Sequence, residues 1–253
     1  MKITFLGTGT SQGVPVIACD CEICTSLDPK DKRLRSSVLI ERDNLVFIID
    51  TGPDFRQQML REKVQKLDAI LITHEHKDHV AGLDDVRSFN FKMKMAVDLY
   101  AEERVQESLK REFAYVFADH KYPGVPEINM HMIENQIINI KNIDVLPVRV
   151  MHHKLPVFGY RIDNFAYVTD TNYIPDTEIE KLIGVKVLVI NALRKKKHLS
   201  HYNLEEAIEI IQKIAPEQAY LTHISHMMGL HETVGKELPD NIFLAYDGLQ
   251  IYL

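Results

Sequence analysis

Three histidines and an aspartate crowd into the six residues His74–His79, within the run Thr73-His74-Glu75-His76-Lys77-Asp78-His79-Val80. Imidazole and carboxylate are ligands for divalent metal ions, and this density of them suits metal binding. The run Asp68–Ile72 before it, apolar after its first residue, reads as a buried strand, and a helix can start at Ala81-Gly82-Leu83. Side chains alternate along an extended segment, so His74 and His76 point to one side. Asp78 and His79 lie beyond the turn and can face a different point. One loop could therefore supply two ligands to each of two neighbouring ions. The bland alternative is a histidine-rich surface loop, and partner residues downstream argue against it.

Those partners follow other apolar runs. His152 comes after Val150-Met151, Asp170 after Tyr167-Val168-Thr169, and His223 after Tyr220-Leu221-Thr222. With His74, His76, Asp78 and His79 they total five histidines and two aspartates. Two four- or five-coordinate ions that share a bridging carboxylate and a bridging water would use that number. Asp50 also ends a strand, in Asp50-Thr51-Gly52-Pro53, where it could orient a metal-bound imidazole or serve as a cap or turn residue. Cys19, Cys21 and Cys24 are the only cysteines, and their odd, crowded pattern suits metal binding in a reducing compartment better than a disulfide framework. They are one ligand short of a closed tetrahedral zinc site, which His226 could complete. His120, His131, His198 and His231 lack such settings and read as surface or core residues.

The elements that must position these residues are short and numerous. Lys2–Leu6 reads as a first strand, running into the glycine-rich Gly7–Gly13, which has neither a GK[ST] ending nor a clear helix after it. Those glycines let the backbone pass close to something. Ser36–Glu41 and Leu45–Asp50 read as antiparallel strands, with a helix from Asp54 to about Lys63. Leu83–Asn90 and 101–117 read as helices, the second with an apolar stripe of Val105, Leu109 and Phe113. Strands recur at 136–140, 143–151, 157–162, 165–169, 186–190, 218–221, 242–245 and 250–253, with helices at 175–182, 204–214 and 232–236. Strands interspersed with helices predict a two-layer sheet core with helices outside.

The chain has 253 residues, 45% of them hydrophobic and 26% charged, with a net charge of −6. This is an ordinary globular make-up, and without linker or repeat it suggests one domain spanning 1–253. The acidic balance gives no sign of a general nucleic-acid surface. No apolar run reaches the length of a membrane span, and the apolar run before Gly7 is too short for a signal-peptide core, so a cytoplasmic location is expected.

At His74–His79 the chain resembles the metallo-β-lactamase superfamily, whose signature His-x-His-x-Asp-His these residues match, with the later ligands in the family's order. The resemblance implies an α/β (α+β) fold, a four-layer αββα sandwich with a two-metal site along one edge. It places His74, His76 and His152 on one ion and Asp78, His79 and His223 on the other, with Asp170 bridging. His152 is preferred to His153 because the family pattern sets this ligand two residues before the strand opening at Lys154. Histidine at position 76, where flavodiiron oxidoreductases have glutamate, argues against redox chemistry at iron.

The cysteine run and the Thr222–His226 segment together resemble a narrower family, the phosphodiesterase accessory to the carbon–phosphorus lyase pathway. That likeness implies a structural Zn²⁺ on Cys19, Cys21, Cys24 and His226. Related phosphodiesterases carry a histidine before the helix corresponding to 204–214, which makes His201 the expected general acid. The expected activity is hydrolysis of small, cyclic phosphodiesters by a hydroxide bridging two Zn²⁺ or Mn²⁺ ions. Asp78 and Asp170 hold those ions, and Arg194–Lys197 could steer an anionic substrate. A homodimer is in keeping with the resemblance. The alternatives are a tRNA 3′-processing endonuclease, a lactone or thioester hydrolase on the same site, and a zinc-stabilised binding protein with a degenerate site. No glycine-rich arm of the kind that grips tRNA stands out.

Overall fold

Fourteen strands make two seven-stranded sheets in the computed structural model, which describes residues 1–253. In chain order they are β1 (Lys2–Gly7), β2 (Ser37–Arg42), β3 (Leu45–Ile49), β4 (Ala69–Leu71), β5 (Val97–Ala101), β6 (Ile128–Met132), β7 (Ile138–Ile140), β8 (Ile143–His152), β9 (Leu155–Ile162), β10 (Phe165–Val168), β11 (Val187–Asn191), β12 (Gln218–Thr222), β13 (Ile242–Leu244) and β14 (Gln250–Tyr252). The first sheet runs β14-β1-β2-β3-β4-β5-β6 and the second β13-β12-β11-β10-β9-β8-β7. Each combines antiparallel neighbours with a parallel set, β3 to β6 in one and β10 to β13 in the other.

Three apolar clusters show how the layers stack. Phe5, Phe47, Phe158, Tyr160, Phe165 and Tyr167 fill the space between the sheets. On the outside of the first sheet, Ile48 and Ile70 pack with helix residues Phe55, Phe89 and Leu109. Outside the second, Val168, Ile190 and Leu221 pack with Ile179, Ala207 and Ile211. Alternation along single strands explains this. In β3, Phe47 and Ile49 face inward while Ile48 faces the helices. A strand covered on both faces reads as a continuous apolar run. The result is the αββα sandwich of the metallo-β-lactamase fold.

Three sequence expectations need correction. Residues 101–117 are not one helix: Ala101 ends β5, and the helix is Glu103–Glu112, followed by a short turn at Ala114–Phe117. β5 and β6 are strands beyond those expected from the sequence. Each alternates apolar and polar residues, Val97-Asp98-Leu99 in β5 and Ile128-Asn129-Met130 in β6, but over five residues only; β5 is paired in parallel to β4 and β6, and β6 is a sheet edge with only Ile128 buried. In addition, the helix expected to start at Ala81-Gly82-Leu83 is preceded by another: Asp78 and His79, beyond the extended His76, sit in a one-turn helix, Lys77–Val80. The segment after it splits into a 3₁₀ turn at Leu83–Val86 and a helix at Arg87–Met93. No helix is long and apolar enough to cross a membrane.

Candidate metal centres

Parallel strands leave their carboxyl ends along a common edge, where layered α/β folds build sites. His74 lies just beyond β4, His152 ends β8, Asp170 follows β10 and His223 follows β12. Asp50, Asp170 and His223 are all left-handed, with φ of 67°, 52° and 55°. For non-glycine residues that conformation costs on the order of 1–3 kcal/mol each and collects at functional sites. The one-turn helix is bolted to the end of β3: Thr51 N–H donates to His79 O at 2.7 Å, and Gly82 N–H to Thr51 O at 2.8 Å. A Cβ on Gly52 would stand 2.1 Å from the Asp78 carbonyl, so only glycine allows this approach.

Two groups result. The ligand atoms of His74, His76, His152 and Asp170 lie within 4.8 Å of one another, as do those of Asp78, His79, Asp170 and His223. Asp170 belongs to both. Its Oδ2 is 3.7 Å from His74 Nε2 and 3.3 Å from His79 Nε2, while Oδ1 is 2.9 Å from His223 Nδ1. Burial would push the Asp170 carboxyl up, but the charges of His223 and His79 hold it well below the usual range. Burial would likewise discharge His79, yet Asp78, Asp170 and Asp50 raise its pKa well above normal.

Each buried histidine has its outer nitrogen engaged. His79 Nδ1 donates to Asp50 Oδ2 at 2.7 Å and His152 Nδ1 to the Ser200 carbonyl at 2.8 Å. His74 Nδ1 lies 3.0 Å from Thr73 Oγ1, whose hydroxyl donates to Asp50 at 2.9 Å. Asp50 therefore orients one imidazole in each group, directly for His79 and through Thr73 for His74. Thr10 Oγ1 is 3.2 Å from His223 Nε2. The inner atoms His79 Nε2 and His223 Nδ1 are buried and, although Asp170 oxygens stand 3.3 and 2.9 Å away, make no well-aligned hydrogen bond. An orphaned buried nitrogen is costly, and a cation between these atoms and Asp170 would satisfy both. The donor set fits divalent metal ions.

The cysteines form a third group with His226. Its Nδ1 lies 3.3, 3.4 and 3.4 Å from the Sγ atoms of Cys19, Cys21 and Cys24. Zinc bonds of about 2.3 Å to sulfur and 2.0 Å to nitrogen at a tetrahedral angle give about 3.5 Å. The Cys24 backbone N–H lowers the Cys21 thiol to about 6, while burial pushes Cys24 up to about 11. The glycine-rich loop links this group to the other two. Thr10 N–H donates to the Ile224 carbonyl at 3.1 Å and Ile224 N–H to Thr8 O at 2.9 Å. The close neighbours of its glycines are thus Arg33–Arg35 and the segment carrying His223 and His226.

His201 sits over the same edge, with Nε2 3.5 Å from Asp170 Oδ2 and its ring stacked on His223 at 13°. His153 stays exposed and takes no part in either His/Asp group. Thr10, Thr73 and the Ser200 carbonyl were not singled out in the sequence; hydroxyls and carbonyls beside strand ends carry no periodic signal. Of the basic run, Lys195 pairs with Glu237 at 2.6 Å and Lys197 with Glu206 at 3.7 Å.

A sequence profile of the β-lactamase superfamily domain matches residues 46–224. The chain overlays on a crystal structure of a new diphosphatase from the PhnP family with a TM-score of 0.93 and 42% identity, covering 100% of this chain and 97% of that one. It is 42% identical over 253 residues to an octanoyltransferase of Porphyromonas gingivalis, covering 99% of this chain and 51% of that protein. It is 26% identical over 167 residues to a ribonuclease Z of an Exiguobacterium species, covering 64% of this chain and 49% of that protein. The chain thus spans about half the length of these two curated relatives. Full-length likeness to the PhnP-family structure, together with the profile match, establishes that the chain belongs to the β-lactamase superfamily and, within it, to the PhnP family.

Proposed function

We propose that this chain, acting as one folded unit, hydrolyses P–O bonds in small phosphodiesters, cyclic ones included. His74, His76 and His152 would hold one divalent ion and Asp78, His79 and His223 the other, with Asp170 between them. Zn²⁺ and Mn²⁺ both suit this mixed nitrogen and oxygen set. The observation that carries the reading is the single carboxylate shared by two groups, one of which holds the buried, unpartnered His79 Nε2 and His223 Nδ1. Two ions held in this way would polarise a phosphoryl oxygen and make water a better nucleophile. As the old P–O bond breaks, His201 Nε2 passes its proton to the leaving oxygen, and the ring later regains a proton from solvent. Cys19, Cys21, Cys24 and His226 would hold a structural Zn²⁺ that braces His223. The diphosphatase description of the PhnP-family structure supports phosphorus chemistry and extends the reading to phosphoanhydrides.

A second reading has one observation behind it, the octanoyltransferase name of a relative. Thioester chemistry at the same centre would account for it. That protein is about twice as long as this chain, though, and a departing thiolate has little need of a proton from His201. Rates on bis(p-nitrophenyl) phosphate, a 2′,3′-cyclic nucleotide, a nucleoside diphosphate, an octanoyl thioester and a lactone, with metal content measured alongside, test the proposal. Turnover of the phosphorus compounds is expected. Turnover of the carbonyl compounds alone would overturn it, and faster cleavage of a tRNA precursor would move the reading towards ribonuclease Z.

A further inference from the structure

His201 is capped on its outer side by a residue that neither metal group uses. Its Nδ1 lies 3.2 Å from His198 Nδ1 and 3.1 Å from Ser200 Oγ. Ser200 N–H and Oγ each stand 3.4 Å from the same His198 nitrogen, so the three residues form one local cluster. The His198 ring is exposed while His201 is buried, and their centroids are 5.2 Å apart. The opposite nitrogen of His201, Nε2, is turned inward with no hydrogen-bond partner. The carbonyl of Ser200 also accepts from His152 Nδ1 at 2.8 Å. One four-residue segment therefore sets both a candidate ligand and the candidate acid.

A solvated surface histidine would have no reason to place a ring nitrogen against the outer nitrogen of a buried one. Imidazole and hydroxyl can each accept or donate, so this pair serves His201 Nδ1 in either protonation state. Water could occupy the same place, but it would not fix the ring's rotation about its Cβ–Cγ bond.

We propose that His198 is a positioning residue for proton delivery, holding His201 Nδ1 so that Nε2–H stays aimed at the leaving oxygen. This inference rests on the reading of His201 as the proton donor. When the P–O bond breaks, its electron pair goes to the leaving oxygen, which bonds the Nε2 proton. His201 is then neutral with its remaining proton on Nδ1, and His198 Nδ1 accepts that hydrogen bond. The contribution depends on the leaving group: a nitrophenolate departs without much help, and an alkoxide needs the proton.

The test uses full-length His198→Ala, His198→Gln and His201→Ala, each assayed on bis(p-nitrophenyl) phosphate and on a 2′,3′-cyclic nucleotide, with metal content determined. For His198→Ala we expect kcat on the cyclic nucleotide to fall about tenfold, with KM and metal content steady and a loss of about twofold or less on the nitrophenyl ester. His198→Gln, whose amide can also meet Nδ1, should restore most of the loss. An equal loss on both substrates, no loss on either, or loss of metal would overturn the role of His198. If His201→Ala distinguishes the two leaving groups and His198→Ala does not, the proton donor stands and His198 falls. If His201→Ala makes no distinction, the proton-donor reading fails and takes the proposal with it.

Discussion

The His/Asp groups draw their members from the ends of β4, β8, β10 and β12, on both sheets, whereas the cysteine group takes three of its four members from the six residues Cys19–Cys24. The first is nearly all buried, and its outer hydrogen bonds run to Asp50, Thr73, Thr10 and the Ser200 carbonyl. The second has partly exposed thiols and few outer partners, Val16 N–H to Cys24 Sγ being one. Three thiolates and one imidazole around one point close a coordination sphere, while two groups sharing one carboxylate leave room for water and substrate. The contrast separates a centre arranged for reaction from one arranged to hold its neighbours in place.

The sharpest way to break that division is Asp170→Asn, which keeps the shape and removes the shared charge. Activity should fall on the order of 10³-fold or more, with both His/Asp-bound ions lost and any cysteine-bound zinc retained, as elemental analysis would show. Retention of two ions would refute the sharing. Next in size is Cys21→Ser. If the cysteine group braces the segment carrying His223, the melting temperature should drop by roughly 5–10 °C and active-site occupancy should fall with it. Normal metal content in this variant would sink the brace.

Asp50→Asn tests the outer hydrogen bonds of the reactive side. Because Asp50 orients both His79 and, through Thr73, His74, a loss of about 10–100-fold in activity or metal affinity is expected. Titrating metal back into stripped protein would reveal it. The smallest effect concerns acid sensitivity beside the cysteine loop. His231 N–H donates to Asp31, which also accepts from Ser26 Oγ, and burial, then the Arg33 and Lys30 charges, lowers His231 to about 4. Its folded pKa is thus depressed from the usual 6.5. The associated stability is present above pH 6.5 and is lost as pH falls towards 4. His231→Asn should flatten that decline, a difference of about 2–4 °C in melting temperature at pH 5. An unchanged acid limb would show that His231 is not responsible.

How much of this was legible in the chain can be argued from particular residues. His74, His76, Asp78 and His79 announce themselves by type and spacing, and His152, Asp170 and His223 by following apolar runs. His198 did not, because an exposed histidine in a basic loop has no pattern to mark it; its meaning comes from a 3.2 Å approach to His201. Asp50 could be read equally as a cap or as an orienting group, and only the 2.7 Å contact with His79 distinguishes them. β5 and β6 alternate apolar and polar side chains over only five residues each, too short a signal to stand apart without the parallel pairing that the fold supplies.

By itself the sequence determined which donors are present and that most leave the ends of strands, because side-chain alternation and apolar runs are local properties written within about ten residues. The tertiary structure alone decided that Asp170 stands between both groups, which nitrogen of each imidazole faces inward, and that the cysteine loop lies against His226. Those outcomes depend on sheet pairing and layer packing, which join positions far apart in the chain. No local spacing can encode the meeting of residues 74, 152, 170 and 223.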